Sequence, residues 1–365
     1  MTSGFSKVIS ADSHVMEPRD LWDKALRSRY GEHTPRVITE FNGKQGTFFY
    51  TGRQVLKVTE SDLSAQRIGY QEAGYKPEVR VKFQKEAGVQ CEVMNATLML
   101  LIMQGRQRNV VRASARVFND WLVEFCAYDP KRLLGVAMIP MDDPDWATDE
   151  LERVVKKGLR GAIIHLIPPE GCAPFRDPIY DRFWAAAQAL DVPISLHIIT
   201  GRVQDPLHFH TREEQGEAPR MQLELMYEVM GVLANEFIFG GILDRFPKLK
   251  LMCSEFEVSW IPGYMWRLDQ MQGDFGARLQ LPKLDMKASD YMRTRIWHGI
   301  IDDPFGAEAI PHIGVDRVLW GSDFPHVRSI GLDAQSRLAN LFGKLSIEDQ
   351  NRLVAGNVSE LYGLN

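Results

Sequence analysis

Eight short apolar runs, most of them separated by stretches with helical spacing, constrain the fold of this 365-residue chain more than any other feature. Runs of this kind are typical of parallel strands that are buried on both faces. Strands that alternate with helices predict a parallel barrel or a doubly wound sheet. We predict the strands over Val8–Ala11, Cys91–Asn95, Leu133–Ile139, Gly161–Ile167, Pro193–His197, Leu249–Cys253, Arg293–Trp297 and Arg317–Trp320.

Two observations favour the barrel. Polar residues of ligand type recur just after separate strands, and the chemistry of (β/α)8 barrels lies at the C-terminal strand ends. A doubly wound sheet would favour a glycine-rich turn after the first strand, where this chain has Asp12-Ser13-His14. We therefore predict one distorted (β/α)8 TIM barrel domain over residues 1–365. Helices are predicted over Asn109–Tyr128, Asp145–Lys157, Pro178–Leu190, Gln222–Leu233, Asp333–Phe342 and Ser346–Ala355.

The segment 31–82 interrupts the alternation. Arg36–Phe41 and Thr47–Thr51 alternate like strands around Asn42-Gly43, which is a hairpin turn signal. We therefore predict a β-hairpin insertion after the first strand. Long insertions between a barrel strand and its helix are more often lids or interfaces than loose loops, so we expect a lid or a homodimer contact.

Composition and charge exclude several classes of partner. With a net charge of −5, the chain has no basic stripe for nucleic acid and no polybasic patch for a membrane surface. No apolar run approaches the roughly 18 residues that span a bilayer. The four cysteines form no C-x-x-C pair, which predicts free thiols in a reducing compartment. We expect a cytoplasmic enzyme that acts on a small molecule.

Carboxylates and histidines stand at the ends of four different predicted strands. Asp12 and His14 are two residues apart on the first strand, so both side chains can point to one face. His197 ends the fifth strand, Glu255 follows the sixth and Asp323 follows the eighth. Each of them alone has a structural explanation, such as a core histidine bonded to a carbonyl. Together they predict a metal site, because imidazole nitrogens and carboxylate oxygens are common metal ligands.

Other residues near the predicted strand ends are candidates for contact with substrate. His298 is expected just after the seventh strand, either as an acid or base or as a packed structural histidine. His326 is expected to orient Asp323 or to line the pocket. Phe324 is expected to form part of an apolar wall that contacts substrate. His208 lies in a polar loop after the fifth strand, where a solvated position is the alternative to substrate contact.

Four stretches of the sequence, SADSHVMEP, SEFEVSWIP, GSDFPH and GNVSELYG, resemble the second amidohydrolase family, which includes the aminocarboxymuconate-semialdehyde decarboxylase group. The resemblance covers Ile9 to Gly363 and implies a distorted (β/α)8 barrel. It also implies that Asp12 and His14 are the first-strand metal ligands and that His197 is the fifth-strand ligand. Asp323 matches an eighth-strand aspartate that binds metal and handles protons.

The chain departs from the family pattern at the sixth strand. Many members have a histidine there that acts as an acid or base, whereas this chain has Glu255. The glutamate is a candidate ligand, general base or supporting acid. If it is a ligand, the set is rich enough in carboxylates to hold two metals with a bridging oxygen. We expect one or two divalent ions, and the carboxylates suit iron or manganese at least as well as zinc.

Hydrolysis is the reaction that we expect from these residues. Metal-bound hydroxide would attack an ester, thioester, lactone or amide of a small, partly apolar carboxylic acid. Asp323 would transfer the proton with help from Glu255 or His298. The alternative is non-oxidative decarboxylation of an aromatic or unsaturated acid, but the missing sixth-strand histidine favours hydrolysis. A third hypothesis, a non-catalytic scaffold, predicts the loss of polar strand-end residues, which are all present.

Overall fold

The computed structural model describes residues 5–57, 72–201, 227–326 and 329–364. In these parts of the chain, short strands alternate with helices. The strands, numbered β1 to β11, span Ile9–His14, Arg36–Phe41, Lys44–Tyr50, Val55–Lys57, Cys91–Asn95, Leu133–Met138, Gly161–Ile164, Ile194–His197, Leu251–Ser254, Ile296–Ile300 and Val318–Trp320.

The helices surround the strands. Numbered α1 to α14, they span Leu21–Tyr30, Pro77–Ala87, Leu98–Ile102, Arg108–Cys126, Pro144–Lys156, Asp181–Ala189, Ile242–Arg245, Ile261–Gly273, Gly276–Leu279, Ala288–Thr294, Gly306–Ile313, Ala334–Phe342, Ile347–Asn351 and Asn357–Tyr362. Short 3-10 turns occur at Gly31–His33, Pro178–Tyr180 and Val315–Arg317, and π-helical turns at Leu233–Ile238 and Arg352–Gly356. Among the described residues, no helix combines the length and apolar character needed to cross a bilayer.

Eight of the strands form one parallel sheet in the order β1-β5-β6-β7-β8-β9-β10-β11. The sheet closes between its first strand and the segment that follows its last strand. There the Asp323 N–H donates to the Asp12 carbonyl at 2.9 Å, and the His14 N–H donates to the Phe324 carbonyl at 2.7 Å. The predicted (β/α)8 barrel is therefore confirmed, and its seam joins the two strand ends that carry the first and last candidate ligands.

Local sequence accounts for most of the elements. α4 places Val111, Phe118, Leu122 and Phe125 on its buried side, with the spacing of an amphipathic helix, and packs on β6. α5 begins where the Asp143 carboxylate accepts from a backbone N–H one turn on, with proline at the first helical position. α4 therefore covers β6, the strand that follows it in the chain, and α5 packs against α4 and α6.

The predicted seventh strand is misplaced by three residues. We expected Arg293–Trp297, whereas β10 spans Ile296–Ile300 because the preceding helix continues to Thr294. The shift moves His298 from a position after the strand to the middle of the strand. The strand boundaries therefore decide which histidine is able to reach the C-terminal mouth of the barrel.

The insertion contains a separate antiparallel sheet of β2, β3 and β4. The predicted hairpin is thus confirmed, and the ring of Phe49 packs against Trp22 with 6.0 Å between ring centroids. Residues 58–71 of the predicted insertion lie outside the described residues. Its last residues belong to α2, which contacts the barrel seam through Arg80. The proposed role as a lid or homodimer contact stays a prediction.

Candidate metal centre

Three buried side chains converge inside the barrel mouth. Asp12 and His14 lie on β1, and His197 is the last residue of β8. The Oδ1 atom of Asp12 lies 3.4 Å from Nε2 of His14 and 3.7 Å from Nε2 of His197. The two imidazole rings meet edge to face with 5.2 Å between centroids. The structure therefore brings together the ligand types that the sequence placed on separate strands.

The hydrogen bonds of the two histidines leave one nitrogen of each ring directed at this cluster. Nδ1 of His14 contacts the Ala96 carbonyl at 2.5 Å, and Nδ1 of His197 contacts the Ile198 carbonyl at 2.9 Å. A carbonyl only accepts, so Nδ1 carries the proton and the Nε2 lone pair is available in the neutral rings. Among the described residues, Nε2 of both rings and Oδ2 of Asp12 are buried without a hydrogen-bond partner.

Buried polar atoms without partners are rare and call for an explanation such as an ion. Here two imidazole nitrogens and a carboxylate oxygen share one buried site, and the ligand atoms of the three residues lie within 4.8 Å of one another. Nitrogen and oxygen donors of this kind bind zinc, manganese and iron. The residues present therefore fit a divalent metal ion.

Asp323 joins the cluster from the loop after β11. Its Oδ1 atom lies 3.4 Å from Nε2 of His14 and 2.7 Å from Nδ1 of His326. His326 contacts the Thr97 hydroxyl through its other nitrogen at 3.0 Å. Burial raises the pKa of Asp323 to about 6. The expected contact between His326 and Asp323 is thus present, and the histidine is anchored on its far side.

Glu255 approaches the cluster from the end of β9. Its Oε2 atom lies 3.4 Å from Nδ1 of His197, and its backbone has a φ of +63°, a left-handed conformation that side chains rarely adopt. Burial raises the pKa of Glu255 to about 7, against the opposing effect of His197. Asp323 also has a positive φ, of +53°. Such conformations cluster at functional sites, where the surrounding structure holds them in place.

The electrostatic environment of the cluster is strongly negative. Burial acts to lower the pKa of His197, but the carboxylates of Glu255 and Asp12 outweigh it and raise that pKa to about 9. Burial acts to raise the pKa of Asp12, but the close contacts of its carboxylate with the imidazole rings of His14 and His197 outweigh burial and hold that pKa well below its ordinary range. An arrangement in which carboxylates outnumber cationic groups attracts a divalent cation.

Two carboxylates hold the loop that carries Glu255 in place through hydrogen bonds to the backbone. Asp303 accepts from the N–H of Ser259 at 2.8 Å, and Glu257 accepts from the N–H of Ile301 at 2.9 Å. Each loop after β9 and β10 therefore supplies a carboxylate to the backbone of the other. This reciprocal pairing holds the backbone on the C-terminal side of Glu255 in place.

Asn95 and Gly321 touch the cluster, although neither was predicted from the sequence as a site residue. Asn95, at the end of β5, donates to Oδ1 of Asp12 at 2.5 Å. Gly321 lies so close to β1 that a Cβ atom there would be 2.6 Å from the Cβ of Asp12. Asn95 stands at a strand end and so had a detectable signal, but Gly321 is required by a contact between distant parts of the chain.

Two predicted site residues lie away from the cluster, and a third lies outside the described residues. The prediction that His298 lies at the mouth of the barrel is wrong. His298 lies inside β10, and its Nε2 atom is hydrogen-bonded to the Met292 carbonyl at 2.9 Å. Burial lowers the pKa of His298 to about 4. The ring of Phe324 is buried against Arg80, at 4.7 Å, instead of facing the cluster. His208 lies outside the described residues.

A cavity of about 890 Å³ lies at the same end of the barrel. Its described lining includes Arg53, Arg106, Arg108 and Thr200. Thr200 donates to the His197 carbonyl at 2.8 Å, so the cavity wall adjoins the cluster. The volume lies within the range of about 300–1,000 Å³ that is typical of small-molecule sites.

Comparisons with known proteins agree with this architecture. A family model described as amidohydrolase matches residues 73–364. The chain is 29% identical over 301 residues to the gamma-resorcylate decarboxylase of Polaromonas sp. (strain JS666 / ATCC BAA-500), a match that covers 78% of this chain and 87% of the relative. The match to this decarboxylase overturns the expectation of hydrolysis, including hydrolysis of a thioester by a thioesterase. It favours the alternative, non-oxidative decarboxylation.

Solved structures share the fold. An amidohydrolase from Mycobacterium avium subsp. paratuberculosis K-10 superposes with a TM-score of 0.79 and 20% identity, covering 99% of this chain and 100% of that one. A dihydroxybenzoic acid decarboxylase from Polaromonas sp. JS666, solved with bound manganese and the inhibitor 2-nitroresorcinol, superposes with a TM-score of 0.72 and 23% identity, covering 99% and 98%.

Proposed function

Since this chain belongs to the second amidohydrolase family, we propose that it is a metal-dependent, non-oxidative decarboxylase of an aromatic carboxylic acid. The observation that carries the choice of reaction is the match to a gamma-resorcylate decarboxylase along 78% of the chain. The site supports it with two components that such a reaction needs, a cluster of cation ligands and a neighbouring carboxyl group with a raised pKa.

Four residues would hold the cation: Asp12, His14, His197 and Asp323. The first three contribute the buried atoms that lack partners, and Asp323 adds a carboxylate within 3.4 Å of His14. When bound, a divalent ion would supply positive charge that attracts the substrate carboxylate and stabilises negative charge on its neighbours. The carbonyl groups bonded to both histidines would keep their Nε2 atoms directed at the ion.

Glu255 is the proton donor in this proposal. Because its pKa is about 7, the carboxyl group is protonated in a substantial fraction of the protein molecules near neutral pH. An ordinary glutamate is almost fully ionised at that pH. The proton is transferred to the ring carbon that bears the carboxylate and forms the new C–H bond. The bond to the carboxylate carbon then breaks, its electron pair returns to the ring, and carbon dioxide leaves. A protonated carboxyl group would thus take the part that a sixth-strand histidine plays in many members of the family.

The cavity beside the cluster is suited to an acidic substrate. Arg53, Arg106 and Arg108 are among its described lining residues, and guanidinium groups attract carboxylates. Their charge would draw an anionic ring compound towards the barrel mouth. His326 is positioned to contact the bound ring, because it lies between Asp323 and Thr97 at the edge of the cluster.

The test is to load the purified protein with Mn²⁺ and to incubate it with 2,6-dihydroxybenzoate, 5-carboxyvanillate and a panel of related hydroxybenzoates in D₂O. We expect release of carbon dioxide from at least one acid and a product with one deuterium at the vacated carbon. The His298→Asn variant serves as a control and should retain turnover. A protein that binds Mn²⁺ but releases carbon dioxide from no aromatic acid would contradict the proposal.

A further inference from the structure

One fully buried arginine connects two of the strand ends that carry candidate ligands, those of β1 and β11. Arg80 lies on α2 and has no exposed surface. Its Nη1 donates to the His14 carbonyl at 2.8 Å, and its Nη2 donates to the Phe324 carbonyl at 3.2 Å. Its Nε donates to the Glu92 carboxylate on β5 at 2.6 Å. The guanidinium group therefore spans the barrel seam from the outside.

Both carbonyl groups belong to the immediate surroundings of the metal cluster. His14 is itself a candidate ligand, and Phe324 directly follows Asp323 in the chain. The Phe324 carbonyl also accepts from the His14 N–H at 2.7 Å, so it receives one hydrogen bond from β1 and one from α2. The backbone of Asp323 has a φ of +53° and needs support from its neighbours to keep that conformation.

The position of the guanidinium group is itself restrained. The Gln84 side chain donates to the same Oε2 atom of Glu92 at 2.8 Å, which holds the carboxylate that orients Arg80. The ring of Phe324 lies 4.7 Å from the centre of the guanidinium group. Because guanidinium is planar and rigid, its two terminal nitrogens set the separation of the two carbonyl groups they contact.

We propose that Arg80 is a positioning residue that sets the spacing between His14 and Asp323 for cation binding. This inference rests on the ligand assignment in the proposed function. If the ion pair of Arg80 and Glu92 had only a structural role, apolar side chains could replace it without loss of stability or of cation affinity. Well-packed hydrophobic residues often substitute for a buried ion pair in this way. A positioning role predicts instead that the fold survives such a replacement while the affinity for the cation falls.

The deciding variant removes both charges together, Arg80→Met with Glu92→Leu, so that no unpaired charge is left buried. We expect its affinity for Mn²⁺, measured from the electron paramagnetic resonance signal of the free ion, to fall by about 10- to 100-fold, as for other residues that orient ligands. The melting temperature in excess EDTA should stay close to that of the wild-type protein. The spectrum of bound Mn²⁺ should also change.

Arg295 offers a matched control at the opposite end of the barrel. Its Nη2 bridges the carbonyl groups of Leu243 and Phe246, both at 3.2 Å, just before β10 begins. Arg295→Met removes a comparable pair of backbone contacts far from the ligands. We expect it to bind Mn²⁺ as the wild-type protein does, even if its melting temperature falls.

Wild-type affinity in the double variant, or an equal loss of affinity in Arg295→Met, would overturn the inference. If the double variant does not fold, Arg80→Lys decides, because lysine keeps a positive charge near Glu92 but has one nitrogen in place of the three, held at fixed spacing, with which Arg80 contacts Glu92 and the two carbonyl groups. Wild-type Mn²⁺ affinity in Arg80→Lys overturns the inference, and a loss of about tenfold or more supports it. A wild-type protein that binds no Mn²⁺ would instead overturn the ligand assignment.

Discussion

The backbone N–H of Asp323 donates a hydrogen bond of 2.9 Å to the carbonyl oxygen of Asp12. These two carboxylates lie at opposite ends of the chain, yet this bond makes them neighbours across the barrel seam. A further hydrogen bond links the hydroxyl of Ser10 to the N–H of Ser322 at 2.8 Å. The geometry of the metal cluster therefore depends on how accurately the barrel closes.

Loss of a proposed ligand should remove the metal without unfolding the barrel. His197 is buried at the end of β8 and contributes one of the Nε2 atoms that lack partners. We expect the Mn²⁺ content of the His197→Ala variant to be a small fraction of the one ion per chain expected for the wild-type protein. The variant should also lose decarboxylase activity. Elemental analysis after dialysis measures the content. Full metal content in His197→Ala would show that the cluster is not the binding site, and His298→Asn is the control that should keep its metal.

Replacing the proposed acid should separate catalysis from metal binding. We expect Glu255→Gln to lower kcat by about 10²- to 10⁴-fold, the usual contribution of a general acid. Its Mn²⁺ content should remain at one per chain, because the proposed ligand set does not include Glu255. A parallel loss of metal in Glu255→Gln would make the glutamate a ligand and would return the two-metal arrangement to consideration.

Activity should depend on pH through the same carboxyl group. Because burial raises the pKa of Glu255 to about 7, the group is protonated below that pH and ionised above it. Only the protonated form has a proton to donate, so kcat should fall as the pH rises through about 7. A pH profile of kcat for the wild-type protein and for Glu255→Gln measures this. A wild-type kcat that stays constant up to pH 9 would exclude Glu255 as the donor.

A side chain at Gly321 should disturb the cluster through Asp12. A Cβ atom there would lie 2.6 Å from the Cβ of Asp12, well inside van der Waals contact, so one of the two strands must move. We expect Gly321→Ala to weaken Mn²⁺ binding by about 10- to 100-fold, the range for residues that support ligands. Gly263→Ala, in α8 with open space around it, is the control and should leave binding unchanged.

Retained affinity in Gly321→Ala would show that the seam tolerates a shift of Asp12. Titration with Mn²⁺ followed by electron paramagnetic resonance measures both glycine variants under the same conditions. A melting curve for each variant distinguishes local displacement from general loss of stability. We expect the Gly263 variant to melt at or slightly above the wild-type temperature, because alanine favours a helix over glycine by about 0.5–1 kcal/mol.

Much of the fold was predictable because its signals are local. Apolar runs identified all eight barrel strands, and β5 was predicted at its observed bounds of Cys91–Asn95. The Asn42-Gly43 turn identified the hairpin for the same reason. The boundary of β10 was wrong because the polar residues of Arg293–Thr294 belong to a helix whose end is set by packing. That single error accounts for the misplacement of His298.

The sequence by itself determined which residue types stand at the C-terminal strand ends, since a strand end and its ligand are adjacent in the chain. Asp12, His14, His197 and Asp323 could be selected on that basis alone. Only the tertiary structure decided what surrounds them: the closure of the seam, the bridge formed by Arg80, and the burial that gives Glu255 its raised pKa. These properties depend on contacts between segments far apart in the chain, which periodicity and spacing do not encode.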